Sequence, residues 1–295
     1  MNRLDLFNQY RSLLFAIAYR MLGSVSDAED IVQEAWIRWQ NTESVVQAPK
    51  AFLSSTVTRL CIDHLRSVRV KREQYIGTWL PEPLIAESPD IKDDAELAES
   101  LSFAFLMLLE CLSPTERAIF LLREVFDYDY DEIAKTVGKS TPNCRQIVRR
   151  ARRHLILRRP TMLFQSHFVN AANHDKDILV EKFLDCWNQG DLQALIALMA
   201  EDITFWSDGG GKVVAAQKPL HGCIKVARFL VAIRCSRLTP TLVSQVIAVN
   251  HQLGVINMVD EKPHSTFSFE FAGDRIRSIF AVVNPEKLKA IKLLF

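Results

Sequence analysis

Between Lys139 and Arg159 the chain carries eight lysines and arginines and no carboxylate. A cluster of that kind neutralises phosphates and releases their counterions, the electrostatic part of nucleic-acid binding. A second basic cluster, Arg66, Arg69, Lys71 and Arg72, lies upstream. Proton-transfer chemistry has one candidate, Asp208, with His221 or Trp206 as companions, in a carboxylate whose ionisation an apolar pocket would oppose. Asp208 is followed by Gly209, Gly210, Gly211 and Lys212, and a glycine run is a poor mount for a positioned base. The residues His221, His251 and His264 show no HxH or HxxxH spacing, so no metal site is expected. Cys61, Cys111, Cys144, Cys186, Cys223 and Cys235 form no CxxC pair and read as thiols of a reducing compartment. No cofactor motif is present.

The elements that position these groups are mostly helical in the first half. Leu13, Leu14, Ile17, Ala18, Met21 and Leu22 recur at helical spacing, and Gly23 supplies a stop. Ser26 with Glu29 three residues on predicts a capped start for the next helix, continued by Ile31, Val32, Ala35, Trp36 and Trp39. Pro49 opens a third helix through Phe52, Leu53, Val57, Leu60, Cys61 and Leu65. That helix sets Thr56, Arg59, Asp63 and Arg66 along one face, able to hold phosphates or an unstacked base. The proline-rich, acidic run over 76–95 disfavours regular structure and predicts a linker.

Helical spacing then returns. Ile133, Ala134 and Val137 give a short helix an apolar face, Gly138 permits a tight turn, and Ser140 and Pro142 open a second helix. This is a helix-turn-helix pattern. On its second helix Cys144, Ile147, Val148, Ala151 and Leu155 point inward. Asn143, Arg145, Gln146, Arg149, Arg150, Arg152 and Arg153 are left outward, with Lys139 and Ser140 at the turn. Residues near the helix start are expected at base edges and the later arginines at phosphates. Beyond Pro160 two helices, about 175–188 and 191–199, precede strand-like stretches such as ITFW, TLVSQVIAV, GVINMV, STFSFEF and RIRSIFAVV, an α+β pattern.

A formal net charge of +1 over 295 residues means that any nucleic-acid affinity is local, and the length exceeds one typical domain. No stretch is long and apolar enough to span a bilayer, and MNRLDLFNQYRS lacks a signal-peptide core. A cytoplasmic protein is expected.

Taken in order, SDAEDIVQEAWIRW, PKAFLSSTVTRLCIDHLRS, LSPTERAIFLLREVFDYDYDEIA and the helix-turn-helix resemble the extracytoplasmic-function sigma factors of the sigma-70 family, over roughly residues 1–158. The resemblance implies that the chain binds core RNA polymerase at its clamp and flap surfaces. Asp27, Glu29, Asp30, Gln33, Glu34 and Trp36 would do so on the second helix. It also implies that the third helix, with Thr56, Arg59, Asp63, Arg66, Arg69 and Arg72, recognises and opens promoter DNA near minus ten. The helix-turn-helix would then read the minus-thirty-five element. The remainder resembles SnoaL-like domains of the NTF2-like fold, an α+β cone with a pocket. A subgroup of these sigma factors carries such a domain together with a WLPEP-like linker, a DGGGK segment and an NP-x-KL segment. Here these are Trp79, Leu80, Pro81, Glu82 and Pro83; Asp208 to Lys212; and Asn284, Pro285, Lys287 and Leu288.

The expected organisation is therefore multidomain. It comprises an all-α sigma domain over 1–75, a linker over 76–95, a second all-α domain over 96–159, and an α+β cone domain over 172–295. The glycines allow close backbone approach, and the linker's tryptophan and leucine offer apolar anchors. The tail is expected to regulate in cis through the linker. Two further readings of the tail are a sensor of a small apolar ligand and an isomerase- or cyclase-like enzyme. No catalytic residue, cofactor, metal or membrane partner is assigned.

Overall fold

The computed structural model describes residues 2–43, 46–85, 102–158, 173–236 and 241–291, without the side chains of 69–73, 158 and 173–174. The expected boundaries at Pro160 and residue 172, and residues 86–95 of the linker, lie outside the described residues. The chain divides into two compact units, Met1–Glu73 with Phe105–Ser166, and Gln74–Ala104 with His167–Phe295.

The first unit is helical. Its helices are α1 (Arg3–Leu22), α2 (Val25–Gln40), α3 (Pro49–Glu73), α4 (Phe103–Leu109), whose first two residues belong to the other unit, α5 (Pro114–Glu124), α6 (Tyr130–Val137) and α7 (Thr141–Arg158). Gly23 ends α1 in the left-handed conformation, φ 67°, which a residue with a Cβ adopts only at a cost. The next helix is capped two residues earlier than expected. Ser24, and not Ser26, is its cap, accepting the amide of Asp27 at 3.2 Å. Ser113 and Glu116 form a reciprocal cap on α5, with Pro114 at its first position, which fixes where that helix begins. Within this unit the buried Arg117 donates to the Met21 carbonyl at 2.7 Å and to Glu110 at 2.8 Å. It thereby satisfies a carbonyl at the end of α1 that the helix leaves unpaired.

The second unit holds α8 (Asn173–Gln189), α9 (Leu192–Leu198), β1 (Met199–Asp208), β2 (Leu220–His221), α10 (Cys223–Arg234), β3 (Val243–Val249), β4 (Gln252–Val259), β5 (Lys262–Ala272), β6 (Arg275–Val282) and α11 (Pro285–Leu288). The strands form one sheet in the order β2-β1-β6-β5-β4-β3. Neighbours are antiparallel except β1 and β6, which run parallel with Asp208 opposite Val282. Phe267 and Phe269 of β5 meet Trp187 and Phe183 of α8, with ring centroids 5.1 Å and 5.0 Å apart. The Trp187 indole donates to the Leu230 carbonyl at 2.8 Å, so its one polar atom is satisfied in the core.

This architecture corrects the expectation of an NTF2-like cone. A cone requires the sheet to curl closed, whereas here β2 and β3 are opposite edges of an open sheet. Edge strand β2 is only two residues long, pairing Leu220 and His221 with Phe205 and Thr204, too little to carry a closure. Helix α10 is also additional to the two helices expected. Its Val226, Ala227 and Leu230 are fully buried and mark an apolar face at helical spacing.

The thiols provide a check on the packing. Cys61 and Cys144 are buried, while Cys235 is exposed, and burial first, then nearby Asp27, pushes the Cys61 thiol far above its ordinary range. In the native protein a disulfide reagent should label Cys235 within minutes and leave Cys61 and Cys144 unmodified until denaturant is added. Early labelling of Cys61 would contradict the described core.

Candidate nucleic-acid interface and linker latch

The helix-turn-helix is built as its residue pattern requires. Gly138 takes φ 67° between α6 and α7, and Cys144, Ile147, Val148, Ala151 and Leu155 are buried. Lys139, Ser140, Asn143, Arg145, Gln146, Arg149, Arg150 and Arg153 are exposed. They are not electrostatically equivalent. Arg150 is paired with Glu116 and Arg152 with Glu124 at 2.6 Å, while Arg145 lies over the Tyr130 ring at 5.5 Å. Partial burial opposes the charge on Glu116, but hydrogen bonds from Ser113 and Arg150 outweigh it and hold the carboxyl below its ordinary range. Lys139, Arg145, Arg149 and Arg153 therefore carry the positive charge that no described carboxylate pairs with, Arg145 from its place over the Tyr130 ring.

On α2, Glu29, Asp30 and Gln33 are exposed and Asp27 is half-buried, 3.5 Å from the His64 imidazole. Glu34 pairs with Arg38 at 2.9 Å, and the Trp36 ring lies 4.9 Å from that of Phe7. Along α3 the expected row is divided. Thr56 bonds back to the Phe52 carbonyl at 2.8 Å, and Asp63 and Arg66 are exposed 3.5 Å apart, with Arg66 3.3 Å from the Thr115 hydroxyl. Arg59 donates to the Thr136 and Lys135 carbonyls, each at 2.8 Å, so its guanidinium serves as the C-terminal cap of α6. Arg69 and Arg72 continue α3, but their side chains are outside the described residues.

In the second unit the linker, the glycine segment and the chain after β6 converge on one carboxylate. Asp208 has no exposed surface. Its Oδ1 accepts the Tyr75 hydroxyl at 2.6 Å and the Gly210 amide at 3.0 Å; its Oδ2 accepts the Leu80 amide at 2.8 Å and Lys287 at 2.7 Å. Lys287 also donates to the Leu80 carbonyl. Its ammonium lies 4.4 Å from the Trp79 ring centroid and 5.2 Å from that of Tyr75, a cation held between two aromatic faces. Asn284 donates to the Tyr75 hydroxyl at 3.0 Å. Burial first, then Asp208, raises the Tyr75 phenol above its ordinary range, which keeps it a proton donor.

Each marked segment has a defined part here. Gly210 has φ 60°, and a Cβ on it would lie 2.3 Å from Asn284 Nδ2, so glycine is required twice over. Lys212 pairs with Glu286, and the Asn284 side chain caps α11 through the Glu286 amide at 3.1 Å. Leu80, Pro81, Glu82 and Pro83 are buried and Trp79 is half-buried; Pro285 is exposed and Leu288 is buried. A second hold lies at the β3–β4 turn. Asn250 accepts the Leu84 amide on its side chain at 2.9 Å and returns its own amide to the Leu84 carbonyl at 2.7 Å. Tyr75 and Asn250 escaped the sequence reading. Tyr75 precedes the motif by only four residues, and Asn250–His251 is a polar pair between two apolar runs that reads only as a turn.

The same geometry rules Asp208 out as a general base. Four donors surround a carboxylate that no solvent reaches, so a substrate proton has no route to it. His221 sits on the exposed edge strand, 3.1 Å from the Thr204 hydroxyl. Among the described residues no group of His, Cys, Asp and Glu could hold a metal ion, and no helix is long and apolar enough to cross a membrane.

A helical unit that ends in a helix-turn-helix with an open basic face has the architecture of a DNA-binding protein. Comparison with known proteins agrees. Residues 6–70 match the model of sigma-70 region 2, and residues 102–155 match that of sigma-70 region 4. The chain is 36% identical over 252 residues to the extracytoplasmic-function (ECF) RNA polymerase sigma factor SigJ of Mycobacterium tuberculosis, covering 84% of this chain and 78% of that one. It is 28% identical to that organism's probable ECF sigma factor SigI, over 96% and 93% of the two chains. The crystal structure of M. tuberculosis SigJ superposes with a TM-score of 0.73 at 30% identity, covering 96% and 97% of the two chains. The chain belongs to the ECF sigma factors of the sigma-70 family.

Removing the charge at the centre of the latch should open it. With Asp208→Asn, Lys287 keeps a mostly buried ammonium without its counter-charge, a loss of about 3 kcal/mol. Amide exchange at Leu80 should then accelerate about 100-fold, while exchange in α5 is unchanged. Mass spectrometry of peptides spanning 78–85 measures it, and unchanged protection there would refute the latch.

Proposed function

We propose that this sigma factor is regulated in cis by its C-terminal unit, which grips the segment joining α3 to the helix-turn-helix half of the chain. As an ECF sigma factor the chain binds core RNA polymerase and directs promoter-specific initiation of transcription. The observation that supports cis regulation is the convergence of Tyr75, Leu80, Asp208, Asn284 and Lys287 on one buried ion pair. The described linker lies on the only covalent path between the two DNA-binding halves. Whatever fixes the linker limits how far those halves can separate, and promoter elements a fixed distance apart require a particular separation.

Within this reading α2 docks on the polymerase clamp through Asp27, Glu29, Asp30, Gln33, Glu34 and Trp36, and the helix-turn-helix half faces the flap. The row from Thr56 to Arg72 serves the minus-ten element, and the face from Lys139 to Arg153 the minus-thirty-five element. The SnoaL-like kinship of the C-terminal domain belongs to the same reading, without the closed cone. A small apolar ligand would have its place in the cavity of that unit.

Transcription with purified core polymerase tests the regulation. The Gly210→Glu, Trp79→Ala double variant, and chains ending after Arg159 or after Ala281, should each change promoter-specific transcript yield at least about threefold relative to the full chain. Parent-like yield from the double variant would refute control through the latch. The DNA face has its own test in the holoenzyme. Replacing Arg149 and Arg153 with alanine should weaken promoter binding and lower the slope of log affinity against log salt by about one for each arginine. An unchanged slope would take these residues off the phosphates.

A further inference from the structure

The second unit has a half-open cavity of about 1100 Å³ on the face of the sheet that carries Phe205 and Phe267, beside α10. Trp187, Phe205, Phe229 and Phe267 line it, and two linker residues, Ile76 and Gly77, form part of its wall. The linker crosses the rim between two fixed points, since Tyr75 and Leu80 are both bonded to Asp208. It lies close against the glycine segment: a Cβ on Gly211, which has φ 70°, would be 2.9 Å from Ile76 Cδ1.

The lining determines the class of occupant. It is mainly apolar and aromatic, and the ionisable side chains in it are Lys212 and His264, with no aspartate or glutamate. A pocket of this kind takes a hydrophobic body; its one cationic lining group, Lys212, is paired with Glu286 outside the lining and can still meet an acidic end, whereas no lining carboxylate receives a cationic one. We infer that this cavity binds a small, mostly apolar molecule with a neutral or acidic end, and that the bound molecule tightens the hold on the linker. The coupling follows from the wall. Ile76 and Gly77 complete the cavity while the latch is closed, so an occupant loses contact area when the linker leaves. A ligand that binds the closed form more tightly shifts the chain towards it, and closing the latch raises ligand affinity by the same factor. This inference rests on the proposed regulatory latch but concerns a different set of contacts.

The test is fluorescence titration of the full chain with 8-anilinonaphthalene-1-sulfonate, an aromatic anion. One saturable site is expected, from which decanoate displaces the probe and decyltrimethylammonium does not. Ala232→Trp, on the cavity-lining side of α10 at an exposed position, should abolish binding, and Ala232→Glu should weaken binding of the anion more than Ala232→Gln, which adds similar bulk without charge. Asp208→Asn should weaken binding at least about fivefold, and in the parent chain the probe should slow amide exchange at Leu80.

No saturable binding, or binding that survives Ala232→Trp, overturns the site. Equal displacement by the cationic detergent overturns the assigned charge. Binding lost in Ala232→Trp but undiminished in Asp208→Asn overturns the coupling. Leu80 exchange in the absence of probe reports on the latch separately, so the failure of that reading is distinguishable from the failure of this one.

Discussion

A carboxylate with no solvent contact is tolerable only when its charge is matched and its lone pairs are occupied. Asp208 meets that demand by drawing on three separated stretches of chain. The linker gives the Tyr75 hydroxyl and the Leu80 amide, the glycine segment gives the Gly210 amide, and α11 gives Lys287. Much of what is distinctive in the second unit serves this one requirement. Gly210 lacks a Cβ so that Asn284 can sit beside it. Asn284 holds the phenol that holds the carboxylate, and Trp79 lies against the ammonium that neutralises it. Removing any member leaves another polar group buried without a partner, which is why such clusters behave as a unit.

In the helical unit the basic face of α7 is governed by the same matching of charge. Positive charge on α7 is not uniform, because Glu116 and Glu124 already hold Arg150 and Arg152. On α3, Arg59 is committed to the carbonyls at the end of α6. A guanidinium that caps a helix within the protein has to give up those bonds before it can reach DNA. If the proposed minus-ten role is held by that row, promoter engagement would include a rearrangement inside the protein, and new bonds to phosphate would have to offset its cost.

The helical half was legible in the residues because its signals are local. Gly23 and Gly138 stop helices, Pro49 and Pro114 open them, and apolar residues at helical spacing mark the buried faces. The shift of one helix start from Ser26 to Ser24 shows the limit of such signals, since both serines precede a suitable partner. In the second unit the strands were recognisable, yet the parallel pairing of β1 with β6 depends on contacts distant in sequence. Their openness as a sheet could not be read from alternation, and kinship alone led to the closed cone. The latch was half visible. Trp79, Asp208, Gly210, Asn284 and Lys287 were marked by motif, but the roles of Tyr75 and Asn250 emerge only when chain segments more than a hundred residues apart meet.

The second hold on the linker has a consequence of its own. Leu80 is fixed at the end of β1 and Leu84 at the turn between β3 and β4, with Pro81 and Pro83 stiffening the residues between. An extended proline-rich segment of four residues spans about 12 Å and neither stretches nor shortens easily. It therefore acts as a gauge laid across the sheet, whose two anchor points are carried by strands that are not neighbours. A change in sheet twist, from a substitution in β5 or from a molecule pressed against Phe267, would alter the separation of those points and be registered as tension in the linker.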